Sequence, residues 1–326
     1  MNAVPCSLLL TALASALAAP AALAHHGVAS LGAAALEGPG APVETSSSAT
    51  LPQGKWLAYL KLDHAPSQTG IAPAPESKYN QYWMAGLGYG FTPWLSAYVF
   101  QPYNIKKDQA GGTDSKGFTD VSLMGVVGFK YDNGLSLVPA NESLDDLMDW
   151  HFTAYAGASL PSGNANHVPG EPGKSLGFGK SSFSYGLTAT RQISADDTLV
   201  FEIGQIRFQT YQYDNGDRVH FGTENRLNAA WTHRLITRPE SRFRLDGNLE
   251  LNYLGLGRDV VNGVGETATG GKMVYATAGM RIYQGKTSLG LALKTPIWTR
   301  LNEEPNQQGA EGKEKFRLIL TGSYLF

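Results

Sequence analysis

The last eleven residues of the chain alternate in character with a period of two. Successive side chains of a β-strand point to opposite faces, so residues two apart share a face. Arg317, Thr321 and Ser323 share one face of this segment. The other face carries the apolar and aromatic side chains Phe316, Leu318, Leu320, Tyr324 and Phe326. The pattern predicts an amphipathic strand with one face against a protein core or against lipid.

After Ala24 no apolar run approaches the roughly 18 residues that a membrane helix requires. If the chain spans a bilayer, it must therefore do so as a closed barrel, because lipid offers backbone groups no hydrogen-bond partners. A C-terminal amphipathic strand that ends on an aromatic residue resembles the end of bacterial outer-membrane β-barrels. We therefore expect an all-β transmembrane, antiparallel up-and-down barrel with an N-terminal extension. The same resemblance implies that Phe326 contacts the barrel assembly machinery.

The two-residue period recurs along the chain and predicts about twelve strands. A soluble sandwich would show the same alternation, but here short connections alternate with long ones, as in membrane barrels with short periplasmic turns and long extracellular loops. The connection 132–149 departs from this alternation, and within it residues 144–148 predict a short helix. The predicted strands are 54–64, 78–90, 94–103, 118–131, 150–160, 179–192, 197–212, 219–236, 242–258, 272–283, 287–297 and 314–326.

Three regions follow from composition. Residues 1–24 are typical of a secretory signal peptide, with an apolar run and small residues before His25. They contain Cys6, the one cysteine of the chain, so the mature chain would have no disulfide and no cysteine nucleophile. Residues 25–50 are rich in Gly, Ala and Ser and indicate either a disordered tail or loosely docked segment in the periplasm, which we favour, or a plug in the barrel. Residues 51–326 would form the barrel.

Twelve charged residues fall on the predicted inner face of the strands. Two interpretations remain open: a ladder of charges for a polar or anionic solute in a narrow pore, or charges that pair with one another and fill the lumen. These lumen-lining candidates are Lys61, Asp63, Glu202, Glu224, Arg226, Arg234, Arg244, Asp246, Glu250, Arg281, Lys294 and Arg317.

Cleavage after Ala24 would expose His25 and His26 at a free amino end, where amine and imidazole nitrogens can chelate copper or nickel. Adjacent histidines also occur there by chance, and the other histidines are scattered without ligand spacing. We expect no cofactor. The net charge of −2 argues against a nucleic-acid partner.

Enzyme sites find little support in the sequence. The segment 170–175 ends like a phosphate-binding loop, but Val168 occupies the place of the first glycine and no strand–loop–helix context is expected. His233 is predicted to face outward, away from Thr232 and Asn228, which excludes a hydrolase site built on those three residues. We therefore expect a protein that is not an enzyme.

Three short segments carry a resemblance to a known family. Residues 117–123 (GFTDVSL), 156–163 (AGASLPSG) and the serine-rich strand at 181–186 resemble the MetA-pathway phenol-degradation outer-membrane family. The resemblance implies a barrel in the outer membrane of a Gram-negative bacterium, in contact with lipid. It also implies a channel or facilitated transporter for a small-molecule solute, with aromatic or other hydrophobic compounds suggested by the family name. The alternative is a structural or sensory barrel whose periplasmic tail binds a metal or a partner.

Overall fold

The computed structural model describes residues 40–71, 77–108, 112–140, 148–169, 172–307 and 312–326. The predicted signal peptide, together with His25 and His26, lies outside these ranges. Twelve long strands form the barrel: β1 (Trp56–Pro66), β2 (Ser77–Thr92), β3 (Leu95–Asp108), β5 (Val121–Tyr131), β7 (Trp150–Leu160), β8 (Phe183–Gln192), β9 (Asp197–Arg207), β12 (Glu224–Arg238), β13 (Phe243–Leu256), β16 (Gly271–Gln284), β17 (Thr287–Leu301) and β18 (Arg317–Leu325). Six short strands accompany them: β4 (Ser115–Phe118), β6 (Leu135–Leu137), β10 (Tyr211–Gln212), β11 (Arg218–His220), β14 (Val260–Val261) and β15 (Val264–Gly265).

The sheet closes on itself. Each long strand pairs antiparallel with the next one along the chain, and β1 pairs with β18 from Leu57–Leu325 to His64–Leu318. Phe326 extends this seam, because its backbone exchanges two hydrogen bonds of 2.9 Å with Trp56. A closed sheet has no edge with unpaired backbone groups. The structure therefore confirms the predicted all-β, twelve-stranded antiparallel barrel.

The two ends of the barrel differ. We call the end that holds Trp56, Phe326 and the turns at 93–94, 193–196, 239–242 and 285–286 the turn end. The other end, the loop end, carries the connections after β1, β3, β7, β9, β13 and β17. At the loop end β10, β11, β14 and β15 form a separate four-stranded sheet outside the barrel wall.

Several predicted strands are divided in the structure. The strand expected at 118–131 begins only at Val121 as β5, and Phe118 is the last residue of β4. Between them Asp120 accepts hydrogen bonds from the backbone of Gly163 and Phe178 at 2.9 and 2.8 Å. The strand expected at 197–212 ends at Arg207, and the one expected at 219–236 begins at Glu224. In these cases the alternation continues into β10 and β11, which belong to the separate sheet. Period alone does not distinguish one sheet from two.

The connection 132–149 contains β6, which pairs with the end of β5 from Tyr131–Leu135 to Phe129–Leu137. A short hairpin thus accounts for much of its unusual length and leaves the count of twelve wall strands unchanged. Residues 144–147 of the predicted short helix lie outside the described residues.

The outer face of the barrel is apolar. Side chains such as Leu187, Ile203, Leu227, Leu249 and Leu291 are each more than half exposed on this face. Soluble proteins rarely expose so continuous an apolar surface, whereas a membrane barrel presents it to lipid. No helix among the described residues is long and apolar enough to cross a membrane.

The inner face is divided into two halves. On β1, β2, β3, β5 and β7 it carries a buried cluster that includes Tyr59, Tyr82, Met84, Tyr98, Phe100 and Tyr155. On β9 to β18 it carries most of the charged residues. A molecule in the lumen would therefore meet aromatic rings on one side and charges on the other.

Candidate functional site: a lumen occupied by the N-terminal segment

The twelve charged residues predicted to line the lumen all lie on the inner face of the wall. Nine are buried, while Arg226, Arg234 and Arg244 are half-buried. The wall brings six of them together as three ion pairs. Arg226 Nε lies 2.7 Å from Glu224 Oε1, Arg244 Nε lies 2.6 Å from Asp246 Oδ1, and Arg317 Nη2 lies 2.8 Å from Asp63 Oδ2.

Five of the other six candidates contact a segment that is not part of the wall: Lys61, Glu202, Glu250, Arg281 and Lys294. Residues 40–51, which we call the lumen segment, precede β1 and run through the inside of the barrel. Gly40 packs against Thr198 near the turn end of β9. At the other end of the segment, the backbone N–H of Leu51 donates to Ser96 Oγ, 2.8 Å away near the turn end of β3. The lumen segment therefore enters and leaves at the same end, as a loop.

Glu250, in the middle of β13, binds the tip of this loop through its carboxylate. It accepts hydrogen bonds from the backbone N–H groups of Val43, Glu44 and Thr45 at 3.0, 3.1 and 2.7 Å. Thr45 Oγ1 adds a fourth at 2.6 Å and Asn248 Nδ2 a fifth at 2.6 Å. Consecutive backbone N–H groups that converge in this way form an anion-binding nest, and here the anion is supplied by the wall.

Glu44 makes the reciprocal contact. Its carboxylate lies between Lys61 Nζ on β1, at 2.9 Å, and Lys294 Nζ on β17, at 2.7 Å. Both lysine side chains and that of Glu44 are at most a tenth exposed. Burial of these charges is costly, but each carboxylate oxygen has its own ammonium partner, which offsets that cost.

Further along the loop, Ser46 N donates to Glu202 Oε2 at 3.0 Å, and Ser48 Oγ lies 2.7 Å from Thr188 Oγ1. Near the start of the segment, Arg281 Nη2 donates to the Pro42 carbonyl at 2.8 Å. The lumen segment also makes apolar contacts, because Val43 clusters with Ala292 and Ile319, and Leu51 belongs to the buried aromatic cluster of the inner face. Its hydrogen bonds and ion pairs can be exchanged for water more readily than a packed apolar core can.

Glycines make room for the lumen segment. Gly40 has a φ of +77°, and a Cβ there would lie 2.6 Å from Thr198 Oγ1. On the wall, a Cβ at Gly90 would lie 2.3 Å from the Pro52 carbonyl oxygen. Side chains are excluded at both positions, by the left-handed backbone at Gly40 and by close approach at Gly90.

Sequence reasoning did not find every residue of this arrangement. Glu44 lies in a segment with no periodicity, so nothing indicated its partners. Asn252 and Thr277 are neutral and are not among the candidates, although Asn252 lies two residues after Glu250 on β13 and therefore shares its face. In the structure Asn252 Oδ1 accepts from Thr277 Oγ1 at 2.7 Å, and its Nδ2 donates to Thr45 at 3.3 Å.

The predicted metal ligands His25 and His26 lie outside the described residues. In the part of the chain that is described, no group of three or more His, Cys, Asp or Glu side chains is arranged to hold a metal ion. His233 faces outward and its Nδ1 lies 2.8 Å from Asp197 Oδ1, beside Trp231 near the turn end.

No family model and no curated protein sequence matches the chain. Among solved structures, the COG4313 outer membrane channel from Pseudomonas putida F1 superposes with a TM-score of 0.66. It is 14% identical, and the match covers 87% of this chain and all of that channel. The NanC porin (TM-score 0.45, 9% identity, 82% of this chain and 98% of that one) and the Salmonella typhi OmpF complex with daunomycin (0.34, 11%, 83% and 97%) are more distant.

The fold is therefore shared with an outer-membrane channel over nearly its whole length. A closed antiparallel wall with an apolar outer belt and a polar interior is the architecture of outer-membrane proteins. This chain therefore has the fold of an outer-membrane β-barrel.

Proposed function

We propose that this outer-membrane barrel is a channel for small molecules and that the lumen segment is its gate. The observation that carries the proposal is that the wall is complete without the segment. All twelve strands are hydrogen-bonded to two neighbours, and residues 40–51 add no strand to the sheet. The segment can therefore leave the lumen without breaking a wall hydrogen bond.

The inner face supports small aromatic or other hydrophobic solutes, the class implied by the family resemblance in residues 117–186. Tyr59, Tyr82 and Phe100 offer a ring-lined surface next to the lumen segment. Towards the loop end a cavity continues this surface, lined by apolar side chains that include Met124 and Leu176. Aromatic side chains bury apolar rings well and orient them by edge and face contacts.

The test is single-channel conductance in a planar bilayer, comparing the full chain with a variant that lacks residues 40–50. We expect short, rare openings from the full chain and long, larger openings from the deletion variant. Heat-modifiable migration on a gel checks that both have folded barrels.

A folded deletion variant without conductance would contradict the channel. That result would favour the alternative, a structural or sensory barrel, for which the three wall ion pairs are the specific argument. Arg226–Glu224, Arg244–Asp246 and Arg317–Asp63 would then fill the lumen even after the segment has gone.

A further inference from the structure

The two lysines around Glu44 form a clamp shaped for a carboxylate. Lys61 and Lys294 lie on β1 and β17, the two neighbours of β18, so the seam of the barrel separates them. Lys61 contacts Oε2 of Glu44 and Lys294 contacts Oε1. Each ammonium thus takes one oxygen of the same carboxylate, as in the strong charge-assisted pairs of proteins.

We propose that this clamp is the solute-binding site of the channel and that its ligand is the carboxylate of a small aromatic acid. In the closed state Glu44 occupies the clamp in place of the solute. The inference rests on the proposed function and adds the substrate class and the way the gate is released. When the lumen segment leaves, two buried ammonium groups lose their counter-charge, and a carboxylate from outside restores it.

The surroundings of the clamp favour an aromatic acid over a simple one. Lys294 Nζ lies 4.7 Å from the ring centroid of Tyr275, a buried side chain. Lys61 follows Tyr59 on the same face of β1 and pairs across the sheet with Met84. A ring attached to a bound carboxylate would therefore contact rings and a thioether, with which aromatic groups interact favourably.

The first experiment measures binding of benzoate to the detergent-purified full chain and its Glu44→Gln variant by calorimetry. We expect benzoate to bind Glu44→Gln about tenfold more tightly or better than the unchanged chain, the effect of freeing one charged contact. Acetate should bind more weakly than benzoate, and benzyl alcohol, which has the ring but no charge, should not compete.

Two variants serve as matched controls. Glu202→Gln weakens another carboxylate contact of the lumen segment, at Ser46, but leaves Glu44 in the clamp, so benzoate should gain little affinity. Glu44→Gln combined with Lys61→Met and Lys294→Met should lose benzoate binding, whereas Glu44→Gln combined with Lys106→Met should keep it. Lys106 is a buried inner-face lysine that donates to the Gly173 carbonyl and has no contact with Glu44.

Equal benzoate affinity with and without the two clamp lysines would overturn the proposal. Conductance measurements distinguish failure of the clamp proposal from failure of the channel proposal. If the deletion of 40–50 conducts but benzoate neither binds nor blocks, the channel stands and the clamp is wrong. If no variant conducts, the channel is wrong, and benzoate binding that depends on Lys61 and Lys294 would leave the clamp as a binding site in a closed barrel.

Discussion

Single residues in this barrel have consequences that depend on which face they occupy. Neighbours on one strand, such as Asn248 and Leu249, differ in position by one residue but lie in different media. Leu249 is 56% exposed on the outer face, and Asn248 is 5% exposed beside Glu250. A substitution at one position tests lipid contact, and the same substitution at the next position tests the lumen.

We expect Leu249→Arg to reduce the free energy of unfolding in lipid by about 2–4 kcal/mol, the cost of a charged side chain near the bilayer midplane. Asn248→Arg places the same charge in the lumen, next to Glu250, and should mainly change conductance. Reversible urea unfolding in lipid vesicles measures the free energy of unfolding of both variants, and single-channel recording measures the conductance of Asn248→Arg. Equal losses for the two variants would contradict the assignment of faces.

Among the elements, β18 has a special place because it is last in the chain and closes the barrel against β1. The pairing from Leu57 to His64 depends on β18 arriving in the right register. Phe326 sets the end of that register through its two backbone hydrogen bonds to Trp56. Its ring stacks beside Tyr324, with 5.9 Å between ring centroids.

Deletion of Phe326 should lower the amount of folded barrel in the outer membrane, because it removes the two backbone hydrogen bonds to Trp56 that extend the seam between β1 and β18. The readout is the heat-modifiable band in the outer-membrane fraction. Phe326→Tyr keeps an aromatic terminus and should retain near-normal levels. Normal levels after the deletion would show that neither the seam nor assembly requires this residue.

At the scale of the whole molecule, the barrel consists of a rigid wall and a segment held inside it by polar contacts. Each side supplies a carboxylate to the other: Glu250 of the wall binds backbone N–H groups of the segment, and Glu44 of the segment binds lysines of the wall. Reciprocal contacts of this kind fix the tip of the loop, and Val43 adds a small apolar cluster with Ala292 and Ile319. If the segment is the proposed gate, a solute that competes for one of these contacts would favour its release.

A disulfide between the segment and the wall should hold the channel closed. Ser48 Oγ and Thr188 Oγ1 are 2.7 Å apart, close to the bond length of about 2.05 Å between disulfide sulfurs. We expect the variant with Ser48→Cys and Thr188→Cys, in a Cys6→Ser background, to be silent when oxidised and to conduct after a reductant is added. Each single cysteine variant should conduct regardless of reductant. Conductance of the fully oxidised double-cysteine variant would show that solutes pass without movement of the lumen segment around residue 48.

The sequence by itself determined the barrel. The period of two places Leu249 and Arg317 on opposite faces, because backbone geometry fixes where successive side chains point. The absence of a long apolar run, the aromatic C-terminus and the alternation of short and long connections then favoured a closed membrane sheet of twelve strands. These are local properties, or sums of local properties, and they need no knowledge of distant contacts.

Only the tertiary structure decided what the lumen contains. Glu44 meets Lys61 and Lys294, which are 17 and 250 residues away, and Thr45 meets Glu250 at a separation of 205. The break between β4 and β5 at residues 119–120 likewise involves Gly163 and Phe178 in a later loop. The sequence of a segment without periodicity does not predict its partners. Its position is set by hydrogen bonds to side chains that come together only when the barrel closes.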